Sequence, residues 1–141
     1  MWTQSYSKTF KDLKKERVWA LWSDVNTRHT WDLDSEYCKL DGPFKAGAKF
    51  MLKPMGAPAV QIEIIEAQKN HKFTDRTRFW GAVMDGIHEM ETTKDGLKLT
   101  TTMQVSGPLS FIWRKLVVEG IIKTLPEQTE ALVALARRNN D

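Results

Sequence analysis

The chain has 141 residues, 41% of them hydrophobic and 28% charged, with a formal net charge of +3. That length suits one domain over residues 1–141 with a core of its own. The basic cluster Lys8, Lys11, Lys14, Lys15 and Arg17 is broken by Asp12 and Glu16, which argues against a nucleic-acid footprint. Cys38 is the sole cysteine, so an intramolecular disulfide and every multi-cysteine zinc pattern are excluded.

The first residues lack the positive-then-apolar layout of a signal peptide. No run approaches the length that spans a bilayer, so the expected setting is cytoplasmic, without stable membrane insertion.

In chain order, Trp2 to Phe10 alternates aromatic and hydroxyl residues and predicts an edge strand. Asp12 is a candidate N-cap for a helix from Leu13 to about Val25. Its apolar face is Val18, Leu21, Trp22 and Val25, at i, i+3, i+4 and i+7. Asn26 to Trp31 breaks that helix into a turn or a short second helix. Strands follow at Glu36–Leu40 and Ala48–Leu52, around Asp41-Gly42-Pro43. Two prolines and a glycine between Pro54 and Pro58 require a loop.

Val60–Glu66 and Phe73–Phe79 alternate as strands, separated by a turn at Lys69 to Lys72. Met84–Thr93 and Leu97–Val105 flank Lys94-Asp95-Gly96, a hairpin signal. Gly107-Pro108 ends the sheet, and Pro108 can occupy the first turn of the helix that follows. A long helix begins near Ser110. Pro126 should divide or bend it, with the effect felt at the carbonyl of Ile122.

This order, with Val18-Trp19, Asp24, Trp31-Asp32, Gly42-Pro43-Phe44, Gly47 and Phe50, resembles the START and plant-allergen-like helix-grip superfamily. The similarity extends through His88, Asp95-Gly96 and Ser106-Gly107-Pro108-Leu109, and lies nearest the polyketide cyclase/dehydratase-like branch. The resemblance implies an α+β helix-grip fold. In it, a curved antiparallel sheet of six or seven strands wraps a long C-terminal helix, with one or more short helices near the N-terminus. These motifs are spaced apolar and turn residues, so they specify a fold better than a reaction.

The resemblance also implies an apolar cavity between sheet and helix. Alternation nominates its walls as Phe50, Leu52, Val60, Ile62, Phe73 and Phe79 on the earlier strands. Met84, His88, Met90, Leu99, Thr101 and Met103 follow on the later strands, with Trp113, Leu116 and Val117 on the helix. Each apolar member can equally be a packed core residue. Trp31 and Trp113 are candidates to close the mouth, and the Pro54–Ala59 loop and Asn26–Trp31 are expected to border it.

Few polar residues can face that cavity: Asp75, His88, Thr101 and Tyr37. His88 shares a strand face with Met84 and Met90 and could serve as a general acid or base, with Asp75 as its partner. Alternatively, it is a buried histidine satisfied by a neighbouring Asp or Thr. Strand alternation places His88 opposite Asp85, Glu89 and Glu91, so no metal site is expected, and no cofactor is implied.

The leading expectation is a soluble carrier for a small hydrophobic, lipid- or polyketide-like molecule. A cyclase or dehydratase working in the same cavity is the alternative. A protein-interaction module is a third reading, and it predicts a small, filled cavity with an apolar surface patch. A homodimer stays open.

Overall fold

The computed structural model describes residues 1–138. Seven strands alternate in direction and hydrogen-bond as one antiparallel sheet, in the order β1-β7-β6-β5-β4-β3-β2. They are β1 (Trp2–Phe10), β2 (Ser35–Lys39), β3 (Lys49–Pro54), β4 (Val60–Gln68), β5 (Lys72–Phe79), β6 (Ala82–Thr93) and β7 (Gly96–Ser106). The helix α1 (Lys15–Ser23) and a 3-10 turn (Val25–Thr30) carry the chain from one sheet edge to the other. The final helix is continuous and comprises α2 (Ser110–Trp113), a π turn (Arg114–Val118) and α3 (Glu119–Arg138).

The sheet is curved, and bulges between Ser35 and Tyr37 and between Ile64 and Glu66 contribute bends. β1 is an edge strand, as its composition predicts. Its outward Ser5 and Ser7 hydroxyls each lie 2.8 Å from a threonine hydroxyl on β7. Its inward Lys8 pairs with Glu130 on the final helix. Arg137 donates to the Lys11 carbonyl at 2.7 Å and pins the helix end to the β1–α1 turn.

Three apolar clusters fill the interior. Trp22, Trp31, Phe73, Met90, Leu99 and Leu132 belong to the first, where α1 and α3 meet the sheet. Phe50, Ile62 and Ile64 belong to the second, under β2–β4. Met84, Met103, Val105 and Val118 belong to the third, at the start of the final helix.

Local chemistry departs from expectation at three places. Asp12 takes a left-handed conformation, φ +54°, and lies outside the helix; Lys14 occupies the N-cap position with no side-chain cap. Pro108 lies in the turn ahead of Ser110, not in the first helical turn. Pro126 sits inside an unbroken α3, contrary to the expected division. Buried contacts at Leu125, Gln128 and Thr129 hold the helix on both sides of the proline, so one missing N–H does not end it. The change of helical geometry falls earlier, at the π turn.

Candidate functional site

Register decides which side chains meet. Phe73 pairs with His88 and His88 with Thr101, while Asp75 pairs with Gly86 in the adjoining row. Alternation along β6 turns Met84, Gly86, His88 and Met90 inward. Asp85 faces out, where both its oxygens accept from Arg76 at 2.8 and 2.9 Å.

Against this inner surface the 3-10 turn lays Arg28. Its Nε donates to Asp32 Oδ2 at 3.1 Å and its Nη1 to Asp75 Oδ2 at 3.3 Å. His88 Nε2 lies 3.5 Å from the same Asp75 oxygen, at the outer limit of a hydrogen bond. The His88 ring stacks on Phe73 with centroids 4.2 Å apart, and Trp22 meets it edge-on. One guanidinium, two carboxylates and an imidazole are thus enclosed together, below Trp31 and Phe50 rings that also face the cation. Burial opposes the charge on Arg28, but Asp75 and Asp32 outweigh it and raise the pKa of the guanidinium above its usual value. Burial likewise pushes the Asp75 carboxyl up. The contacts with His88 and Arg28 reverse this and hold it below the ordinary carboxylate range.

A void of about 20 Å³ adjoins this network, lined by Trp22, Trp31, His88, Leu99, Thr101, Leu125, Gln128, Thr129 and Leu132. That is room for about one water molecule. Trp31 is 4% exposed, and its indole N–H has no hydrogen-bond partner among the described residues. Gln128 donates its amide to Asp34 and to the Thr124 hydroxyl, each at 3.0 Å, and so ties the helix to the loop before β2.

Of the nominated walls, His88, Leu99 and Thr101 line the void. Phe50, Ile62, Phe73, Met84, Met90 and Met103 are buried within the three packed clusters. Leu52, Val60, Phe79, Trp113 and Val117 pack partly buried beside those clusters. Trp113 stacks on Phe79 at 4.4 Å and donates to the Trp80 carbonyl at 2.8 Å. Leu116 is a correction: it is 70% exposed, because at about 100° per residue it lies opposite the face that Leu125 and Leu132 bury. Tyr37 is a second correction. It is 46% exposed, while its neighbour Cys38 turns inward. Trp31 is enclosed instead of standing at an open mouth.

Arg28, Asp32, Gly86 and Gln128 had no signal in the sequence as members of a site. The Arg28–Asp32 spacing of four was the one available hint, and it reads equally well as a surface pair.

No family model matches the chain, and no curated protein matches it in sequence. Solved structures do resemble it. Protein NE0264 from Nitrosomonas europaea superposes with a TM-score of 0.75 at 15% identity, covering 97% of this chain and 95% of its own. The hypothetical protein jhp0584 from Helicobacter pylori gives 0.76 at 16% identity, over 96% of this chain and 88% of its own. TTHA0849 from Thermus thermophilus gives 0.74 at 13% identity, over 99% of both chains. At such identities the likeness is one of fold, and these proteins share with this chain the sheet-and-final-helix architecture.

Proposed function

We propose that this protein is a carrier for a small, largely apolar molecule bearing a polar head, within the START and plant-allergen-like helix-grip superfamily. The supporting observation is a small void lined by Trp31 beside the Arg28–Asp75–His88 network, with the Trp31 indole N–H unpartnered among the described residues. A buried indole donor needs an acceptor, and a ligand hydroxyl, carbonyl or carboxylate could fill that role in place of the single water the void admits. Thr101, Gln128 and His88 are the polar residues with it in the lining of the void, together with Thr129. The void takes only a polar head. Binding of an apolar tail therefore requires the final helix to move away from the sheet, as a closed resting state opening on ligand.

The test is a titration of the full chain with a fluorescent fatty-acid analogue. Saturable binding is expected, weakened roughly five- to tenfold in Trp31→Phe, which keeps the ring and deletes the donor. Absence of saturable binding rejects the carrier.

A second reading, the protein-interaction module, is favoured by the filled interior together with apolar side chains exposed at the start of the final helix. It predicts no uptake of any amphiphile and a stable complex with another protein.

A further inference from the structure

The sheet has two edges, β1 and β2, and they are protected unequally. β2 is five residues long, is bent by the bulge between Ser35 and Tyr37, and carries Glu36 and Lys39. The Asn26 side chain closes its end, accepting from the Leu40 N–H at 3.0 Å and donating to the Leu40 carbonyl at 3.3 Å. Short length, a bulge, charge and a covering segment all keep an edge from pairing with another chain. β1 has almost none of these devices. Its nine residues pair with β7 in an unbroken register, from Trp2 on Val105 to Phe10 on Leu97. Lys8 is the only charged residue of the strand, and Trp2 to Ser7 contains no charge, proline or glycine. Thr3, Gln4, Ser5, Ser7, Lys8 and Thr9 are exposed. Among the described residues, no backbone group of Trp2 to Thr9 hydrogen-bonds outside the ladder with β7. The opposite side of the strand therefore presents a row of free donors and acceptors.

We propose that the free edge of β1 pairs antiparallel with β1 of a second copy, joining the two sheets across a two-fold axis at Gln4. The order of side chains selects this occupant. With Gln4 opposite its own copy, Trp2 stands opposite Tyr6 and Thr3 opposite Ser5, each twice by symmetry. Directly opposed residues share a face of the sheet. Aromatic pairs thus flank the axis on the inner face, and hydroxyls meet hydroxyls on the outer one. Trp2 and Tyr6 are only half-buried within one chain, so the pairing would cover more of both rings. At the axis the two Gln4 amides can bond to each other, each supplying a donor and an acceptor. No charge meets a like charge, because Lys8 lies beyond the paired segment and is held by Glu130 of α3. That lysine also sets where the pairing stops. An unrelated strand would gain the backbone bonds without these matched side chains.

The experiment is sedimentation equilibrium of the full chain over a range of concentrations. A mass of two chains is expected at the higher concentrations. Gln4→Lys and Gln4→Glu each set like charges against each other at the axis and should lower self-affinity roughly tenfold or more. Gln4 is exposed, so both variants should keep the far-ultraviolet circular dichroism of the wild type. An equimolar mixture of the two variants should restore the two-chain mass as a heterodimer, which a merely weakened strand would not do. A mass of one chain at every concentration overturns the proposal and leaves the edge to an extended segment of another protein. A two-chain mass that both charged variants keep also overturns it, because another face then joins the copies. So does a mixture of the folded variants that stays at the mass of one chain.

Discussion

Gly86 faces Asp75 across the β5–β6 ladder, and a Cβ at that position would lie 2.7 Å from Asp75 Oδ1 and 3.4 Å from His88 Nε2. The absent side chain is what lets a carboxylate and an imidazole share one inner face. Its role is space, since this glycine does not have a positive φ. Gly86→Ala should destabilise the fold by about 1–3 kcal/mol by forcing Asp75 off its partners. Gly120→Ala is the control: that helical glycine has nothing within 4 Å of a would-be Cβ. It should gain up to about 1 kcal/mol in helix propensity. Equal urea midpoints for the two variants would reject the argument.

The ion network sets an acid limit on stability. Because the folded Asp75 carboxyl titrates below its unfolded value, its contribution is fully present above about pH 4 and lost as pH falls through the folded value. Urea unfolding as a function of pH should show this loss, and Asp75→Asn should reduce it. Arg28→Met, which leaves two enclosed carboxylates without their cation, should cost about 3–5 kcal/mol near neutrality. An Asp75→Asn protein with the wild-type acid profile would contradict this account.

Burial pushes the Cys38 thiol up to about 11, against a smaller opposing effect of Arg28. The thiol is therefore protonated and enclosed at neutral pH. It should react with an aromatic disulfide reagent only on unfolding. The raised value also stabilises the fold below the unfolded thiol value of about 8.5, and that contribution disappears as pH rises through about 11. Stoichiometric labelling of the native protein at neutral pH would show that the side chain is reachable after all.

Pro126 removes a donor from the Ile122 carbonyl while standing exposed in an otherwise continuous helix. Pro126→Ala should raise stability by about 1–3 kcal/mol, read from the urea midpoint. A lower midpoint would mean that the proline serves the geometry of α3 in a way its exposure does not reveal.

His88→Ala separates carriage from catalysis. A carrier loses one polar contact, about 1 kcal/mol of ligand affinity. A cyclase or dehydratase using this imidazole would instead keep its affinity and lose roughly a hundredfold or more in turnover. The expected result is the first, with analogue binding measured by fluorescence and turnover sought on an aromatic polyketide.

The sequence by itself determined the elements whose signal is local. The period of two in Trp2–Phe10, Val60–Glu66 and Leu97–Val105, and the apolar face Val18, Leu21, Trp22 and Val25, depend only on residues a few positions apart. The inward direction of Asp75 and His88 follows from the same alternation. Tertiary structure decided what those residues meet. Arg28 reaches Asp75 across 47 positions, and Gly86 makes room for it only through the register of β5 on β6. Leu116 turns outward because the face of the final helix that meets the sheet runs through Val118, Leu125 and Leu132, a choice that an apolar pattern covering much of the helix does not encode. The size of the void likewise depends on how Trp22 and Trp31 pack against α3, a volume set by close packing of distant side chains and not by the order of residues along any one element.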